Sequence, residues 1–204
     1  MTPDGLAAEV MARAASHDRF TLAIAGPPGA GKSTLSQALV EALARLGSSA
    51  VIVPMDGFHL DNGELDRLGL RARKGAPETF DLAGFDALLS RLTLEDDVVI
   101  PVFDRVLDLA RAGAARVTAG TRIRIVEGNY LLLDEPGWRE LARHFDLTVF
   151  LDVPDAELER RLVERWLTHG HDEQAARARA LSNDIPNARR VVARSRAADF
   201  ILPG

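Results

Sequence analysis

A parallel α/β sheet flanked by helices on both faces is the fold class this sequence predicts, and two observations predict it. Short apolar runs alternate along the chain with stretches whose apolar residues recur at helical spacing, the pattern of strands joined by crossover helices. The first run, Phe20 to Gly26, ends in Gly-Pro-Pro-Gly, as a buried parallel strand running into a tight turn does. The 204 residues are enough for one core and too few for two, so a single domain over 1–204 is expected. Hydrophobic residues at 47% and charged residues at 27% exclude disordered and low-complexity classes.

The elements follow in order. From Leu35 the apolar positions are Leu35, Ala38, Leu39, Ala42, Leu43 and Leu46, one face of a helix, with Gly47 as its stop. Ala50 to Pro54 is the next strand, and Val98 to Ile100, Arg122 to Val126, Leu147 to Val153 and Phe200 to Leu202 continue the sheet. Helices are expected around 81–92, 155–168 and 172–182. Open sheets of this kind bind ligands beyond the carboxyl ends of their strands, so the residues just after each strand are the candidates.

Composition narrows the chemistry. With no cysteine, disulfides, thiolate metal sites and cysteine nucleophiles are excluded, and a cytoplasmic location is expected. Met1 to Arg19 carries Asp4, Glu9 and Asp18 and does not read as a leader. No segment approaches the roughly 18 apolar residues of a membrane span. A net charge of -5, from 30 acidic and 25 basic residues, supplies no field for a polyanion, so no nucleic-acid partner and no membrane partner is expected. Lys32 and Lys74 are the chain's two lysines.

Lys32 lies in Gly26-Pro27-Pro28-Gly29-Ala30-Gly31-Lys32-Ser33, followed by Thr34, the G-x-x-x-x-G-K-[ST] pattern of a P-loop between a strand and a helix. Glycines let successive N–H groups turn inward onto phosphate oxygens, and the helix start adds its positive end. Lys32 supplies a point charge for the β and γ phosphates. The Ser33 hydroxyl suits Mg²⁺, a hard cation that keeps water and nucleotide oxygens around it. ATP and Mg²⁺ are therefore the expected ligands. The chain has neither the Asn-Lys-x-Asp guanine reader nor the Leu-Ser-Gly-Gly-Gln transporter signature, which favours a small kinase.

The second predicted strand ends in Pro54-Met-Asp56-Gly57-Phe58-His59, which places a carboxylate beside the phosphate loop. An alcohol acceptor must lose its proton, and Asp56 is the candidate base; alternatively Asp-Gly is simply a turn pair. These residues resemble the P-loop small-molecule kinases that include uridine kinase, phosphoribulokinase and bacterial pantothenate kinase, over nearly the whole chain. Asp56-Gly-Phe-His59 with Lys74-Gly-Ala-Pro-Glu78 is similar to the pantothenate kinase pattern, whose matching Asp is the base, and the Lys-Gly match implies a substrate or phosphate contact for Lys74. Pro101-Val-Phe-Asp104 is similar to the uridine kinase substrate loop. Val126-Glu127-Gly128 is similar to the strand whose Glu assists Mg²⁺. Through Phe103-Asp104-Arg105 and Glu127-Gly-Asn129-Tyr130 the likeness extends to bacterial proteins called fructose transport system kinases.

Departures from those patterns bear on the acceptor. Asp108 stands where a uridine kinase carries His, and pantothenate kinases continue beyond the point where this chain stops. The polar set His59, Lys74, Asp104, Arg105, Asn129 and Tyr130 offers donors and acceptors for a polyhydroxylated substrate, although each has a purely local alternative. After Pro154, Leu158, Leu162 and Trp166 repeat at helical spacing with Asp155 as N-cap. Arg161 and Arg165 share one face of that helix, and the resemblance implies a lid over about 155–185 whose arginines close on the triphosphate. Two histidines in the following turn, His169 and His171, lack a third ligand for zinc. Asn183 to Asn187, with Arg194 and Arg196, falls where related kinases hold adenine.

The expectation is a kinase moving the γ-phosphate of MgATP to a hydroxyl of a small polar metabolite, a sugar such as fructose among them. A nucleoside or pantothenate kinase is the rival enzyme, and an ATP-binding regulatory module with slow hydrolysis is the rival class. Monomer and homodimer both remain open.

Overall fold

The computed structural model describes residues 1–204. Seven strands form: β1 (Phe20–Ala25), β2 (Ala50–Pro54), β3 (Asp97–Asp104), β4 (Leu109–Thr118), β5 (Ile123–Gly128), β6 (Leu147–Asp152) and β7 (Phe200–Pro203). Five of them make one parallel sheet in the order β2-β5-β1-β6-β7. Around it lie α1 (Pro3–Arg13), α2 (Lys32–Arg45), α3 (Asn62–Arg67), α4 (Leu82–Leu94), α5 (Asp155–Thr168), α6 (Glu173–Arg179) and α7 (Ile185–Arg194). None of these helices is long and apolar enough to cross a membrane.

Strand periodicity decides the two faces. Phe20, Leu22 and Ile24 of β1 pack with Leu6 of α1, Leu39 and Leu43 of α2, and Leu158 and Leu162 of α5. Ala23 and Ala25, pointing the other way, pack with Val53, Val126 and the Phe85–Leu88–Leu89 face of α4. Both faces of β1 are buried, so its sequence reads as a continuous apolar run. The register puts Ile24 and Pro54 level with Glu127. The three strands thus end flush, and Gly26, Asp56 and Asn129 emerge side by side.

The structure corrects several expectations. Val98 to Ile100 belongs to β3, which pairs antiparallel with β4 in a separate two-stranded sheet. Residues 105–108 leave room for a hairpin turn and none for a crossover helix, so a parallel pairing is unavailable to it. Asp155 is the first residue of α5 and not its cap; Pro154 holds the cap position without a side-chain bond, and the Asp155 carboxylate pairs with Arg189 at 2.7 Å. The helix expected over 172–182 is α6, ending at Arg179 and continuing as a wider turn over Ala180–Asp184 into α7.

Candidate active site

The phosphate loop is shaped by its glycines. Gly26, Gly29 and Gly31 have φ of 151°, 83° and 90°, which side chains resist. A Cβ on Gly26 would stand 2.8 Å from the Leu151 carbonyl oxygen. Ala30 is buried in the core beneath the loop. α2 begins at Lys32, so its free N–H groups face the loop's concavity.

Lys32 Nζ is buried and donates to the carbonyls of Gly26 at 3.0 Å and Pro27 at 2.9 Å, and to Asn129 Oδ1 at 2.7 Å. Burial pulls its ammonium down to about 8, partly opposed by Glu127 and Asp56. Ser33 Oγ donates to Glu127 Oε1 at 3.2 Å. The Glu127 carboxyl is raised above the ordinary range, first by burial and then by the like charge of Asp56. A hydroxyl bonded to a buried carboxylate, with a second carboxylate nearby, is a donor set that a hard cation would relieve. The chain presents no cluster of three or more His, Asp or Glu side chains, so such a cation must complete its shell with nucleotide oxygens and water.

Above the loop is a cavity of about 340 Å³, with Pro28, Gly29, Gly31, Lys32, Ser33 and Thr34 as its floor. Asp56, Arg105, Glu127, Asn129, Arg161 and Arg165 form its walls. Arg161 donates to Glu157 at 2.7 Å and to the Gly29 carbonyl at 3.3 Å. Arg165 pairs with Asp184 at 3.1 Å. Both arginines are on α5, as expected.

A second cavity, of about 180 Å³, adjoins the first and shares Pro28, Asp56, Arg105, Asn129 and Arg165 with it. Asp56 and Arg105 form an ion pair at 3.3 Å on this common wall. His59, Lys74, Gly75, Phe103, Asp108, Trp166, His169, Arg179, Asp184 and Asn187 complete the lining. His59 stacks between Phe80 and Phe103, with ring centroids 4.1 and 4.8 Å away. Its Nδ1 is buried without a partner. Burial pushes the imidazole down to about 4, so the ring is neutral near pH 7. Lys74 Nζ is held by Asn62 Oδ1 at 2.8 Å and by the carbonyl and carboxylate of Asp108 at 2.7 and 3.0 Å.

Two residues of the expected polar set lie outside this cavity. Tyr130 is fully buried, its hydroxyl donating to the Gly75 carbonyl at 2.5 Å and its ring packed edge-on against Phe80 and Trp138. Apolar surroundings raise its phenol well above the ordinary value. It buttresses the Lys74-Gly75 segment from below. Asp104 accepts from the N–H groups of Val106 and Leu107, both at 3.1 Å, and pairs with Arg111 at 3.3 Å. It closes the β3–β4 turn, and those backbone bonds hold its carboxyl below the ordinary range.

Sequence reasoning missed Trp166, His169 and Arg179 as lining residues. They come from the α5–α6 region, whose spacing signals only a helix with an apolar face. Asp184 and Asn187, expected near adenine, line the second cavity instead. Arg194 pairs with Glu135 at 3.2 Å, and the Arg196 N–H bonds the Leu132 carbonyl. Neither arginine lines the cavities at the loop.

A family model described as phosphoribulokinase/uridine kinase matches residues 21–203. The chain belongs to this family. The family's kinases are P-loop phosphotransferases, and its architecture is the one found here. A Silicibacter protein provisionally named a fructose transport system kinase is 50% identical in sequence, with a TM-score of 0.96 and full coverage of both chains. The uncharacterized Escherichia coli protein YggC is 41% identical over 187 residues, covering 90% of this chain and 77% of its own length. A Schizosaccharomyces pombe protein provisionally named a uridine kinase is 37% identical over 179 residues, covering 83% of this chain and 76% of its own.

Proposed function

We propose that this kinase, a single domain, transfers the γ-phosphate of ATP to a hydroxyl of a small polar metabolite. The observation that carries this reading is the position of Asp56 on the wall common to the two cavities, one floored by the phosphate loop and one beside it. An acceptor in the second cavity brings a hydroxyl to Asp56 from one side while the triphosphate approaches from the other. Catalysis is then mostly positioning and charge neutralisation.

The roles follow from the contacts. The loop N–H groups and Lys32 receive the β and γ phosphates; Lys32 exchanges its carbonyl and Asn129 partners for phosphate oxygens, which stabilise a charge that burial disfavours. Ser33 and Glu127 would hold Mg²⁺, which supplies charge neutralisation on the phosphate oxygens when bound. Asp56 accepts the acceptor hydroxyl proton as the oxygen attacks phosphorus. Arg105, paired with the Asp56 carboxylate at 3.3 Å, holds it in place until the acceptor arrives. Arg161 and Arg165, carried by a lid over about 155–185, meet the charge that develops on the transferring group.

The provisional name of the Silicibacter protein supports a sugar-like acceptor. The size of the second cavity supports a compact one, since about 180 Å³ is below the roughly 300–1,000 Å³ that larger ligands occupy. This favours a short polyol over a nucleoside or pantothenate. The test is ADP release from MgATP across sugars, polyols, nucleosides and pantothenate, with Asp56→Asn run alongside. One acceptor class should raise turnover by orders of magnitude in wild type and not in the variant. Slow release indifferent to every acceptor would support the regulatory module instead.

A further inference from the structure

The ammonium of Lys74 has no donor to spare. A lysine head carries three N–H groups, and three oxygens take them: Asn62 Oδ1 at 2.8 Å, the Asp108 carbonyl at 2.7 Å and the Asp108 carboxylate at 3.0 Å. Nζ also stands 5.1 Å from the centroid of the Phe103 ring, and the side chain is only 8% exposed. To touch a substrate, Lys74 would have to give up one of these partners.

The two sides of this cluster differ in kind. Behind Lys74 the chain is fixed. Asn183 Nδ2 donates to the Lys74 carbonyl at 2.8 Å, the Tyr130 hydroxyl donates to the Gly75 carbonyl, and the Gly75 N–H donates to Thr79 Oγ1 at 2.9 Å. In front of Lys74 is the tip of the β3–β4 hairpin, residues 105–108, which buries little: Val106 is 94% exposed and Leu107 60%. Two polar ties join this tip to the rest of the fold. One is the Arg105–Asp56 pair at 3.3 Å, made by an arginine side chain 59% exposed, and so open an ion pair holds weakly. The other is Asp108, which accepts from Asn62 Nδ2 at 3.3 Å through its carbonyl and 3.0 Å through its carboxylate, as well as from Lys74. Asp108 has φ of 53°, the one non-glycine residue of the chain in the left-handed region. An Asp tolerates that geometry at some cost, which the contacts around it must offset.

Arg105 lines both cavities, so the seat of the tip decides where its guanidinium stands relative to Asp56 and the triphosphate. We propose, resting on the kinase reading above, that Lys74 is a positioning residue and not a substrate contact. With Asp108 and Asn62 it latches the hairpin tip, and the latched tip places Arg105 on the wall between the two cavities. When an acceptor hydroxyl engages Asp56, the Arg105–Asp56 pair loosens, and the latch keeps the tip seated through the transfer.

The experiment compares wild type, Lys74→Met, which keeps a stem against Phe103, and Asp108→Gly, which accepts the backbone angle and removes the carboxylate. Each is also combined with Arg105→Gln, and ADP release is measured with the sugar, polyol, nucleoside or pantothenate that stimulates wild type most. Lys74→Met and Asp108→Gly should each lower kcat by about 10- to 100-fold, the cost of a misplacement of about 1 Å, while the acceptor KM stays within about threefold. Added to Arg105→Gln, either should cost no more than about a further twofold, because the latch acts through Arg105. A Lys74→Met variant that raises KM and spares kcat, an Asp108→Gly variant at the wild-type rate, or losses that multiply with that of Arg105→Gln would overturn the inference and leave the kinase reading intact. If no compound stimulates ADP release, the kinase reading fails, and a second measurement decides the latch. The chain has no cysteine, so nitroxides at Val106→Cys and Leu46→Cys, both exposed positions, report the seat of the tip by pulsed electron–electron resonance. The distance distribution should be narrow in the otherwise wild-type protein and broad with Lys74→Met or Asp108→Gly; a distribution unchanged by both refutes the latch.

Discussion

His59 offers the most closely worked prediction, because its environment fixes both sign and size. In an unfolded chain the imidazole titrates near 6.5; in the fold, burial between Phe80 and Phe103 brings it down to about 4. Between those values the unfolded chain binds a proton that the folded chain refuses. Stability from this residue is therefore complete above about pH 6.5 and falls progressively down to about pH 4. At about 1.4 kcal/mol per unit, the full loss is about 3 kcal/mol. Replacing His59 with Phe keeps a flat ring in the stack and removes the titration. Urea unfolding of wild type and His59→Phe from pH 8 to pH 4 should show a difference that is constant above pH 7. Below that, the wild type should lose about 3 kcal/mol relative to the variant. A difference that stays constant to within about 0.5 kcal/mol across the range would refute the reasoning, as would a resonance assigned to His59, by its loss in His59→Phe, that titrates near 6.5 in the folded protein.

Other predictions concern the cation, an α5 arginine and the close packing of Gly57 on β3. Glu127→Gln should raise the Mg²⁺ concentration for half-maximal turnover by about 10- to 100-fold, read by titrating Mg²⁺ at saturating ATP. Arg165→Gln should lower kcat by roughly 10³- to 10⁵-fold if its guanidinium reaches the transferring phosphoryl group, measured by single-turnover kinetics. Gly57→Ala places a Cβ 2.5 Å from the Pro101 carbonyl oxygen; the overpacking should cost about 1–3 kcal/mol, lowering Tm by roughly 2–12 °C in thermal melts.

What the sequence made legible was the part in which local pattern and global fold agree. β1, the phosphate loop and α2 are signalled together by an apolar run, three glycines with forced backbone angles and an amphipathic repeat, and they lie where expected. The flush strand ends follow from that sheet and bring Lys32, Ser33, Asp56, Glu127 and Asn129 together. β4 was not legible: its Leu109–Thr118 sequence is rich in Ala, Gly and Arg and largely exposed, and it is a strand because β3 pairs with it. Tyr130 and Asp104 carried polar atoms at strand ends, and only packing shows that one bonds Gly75 and the other closes a turn. The second cavity was the least legible feature. Trp166 reaches it from the last turn of α5, Arg179 from the end of α6 and Asp184 from the wider turn before α7, a placement that no spacing rule encodes.

The most direct test of the central claim is the fate of the γ-phosphate itself, followed by ³¹P NMR with MgATP and the best acceptor. The account predicts a phosphomonoester resonance growing in step with ADP, slowed about 10²- to 10⁴-fold in Asp56→Asn. Inorganic phosphate as the sole product, or an ester forming at the same rate in Asp56→Asn, would contradict it.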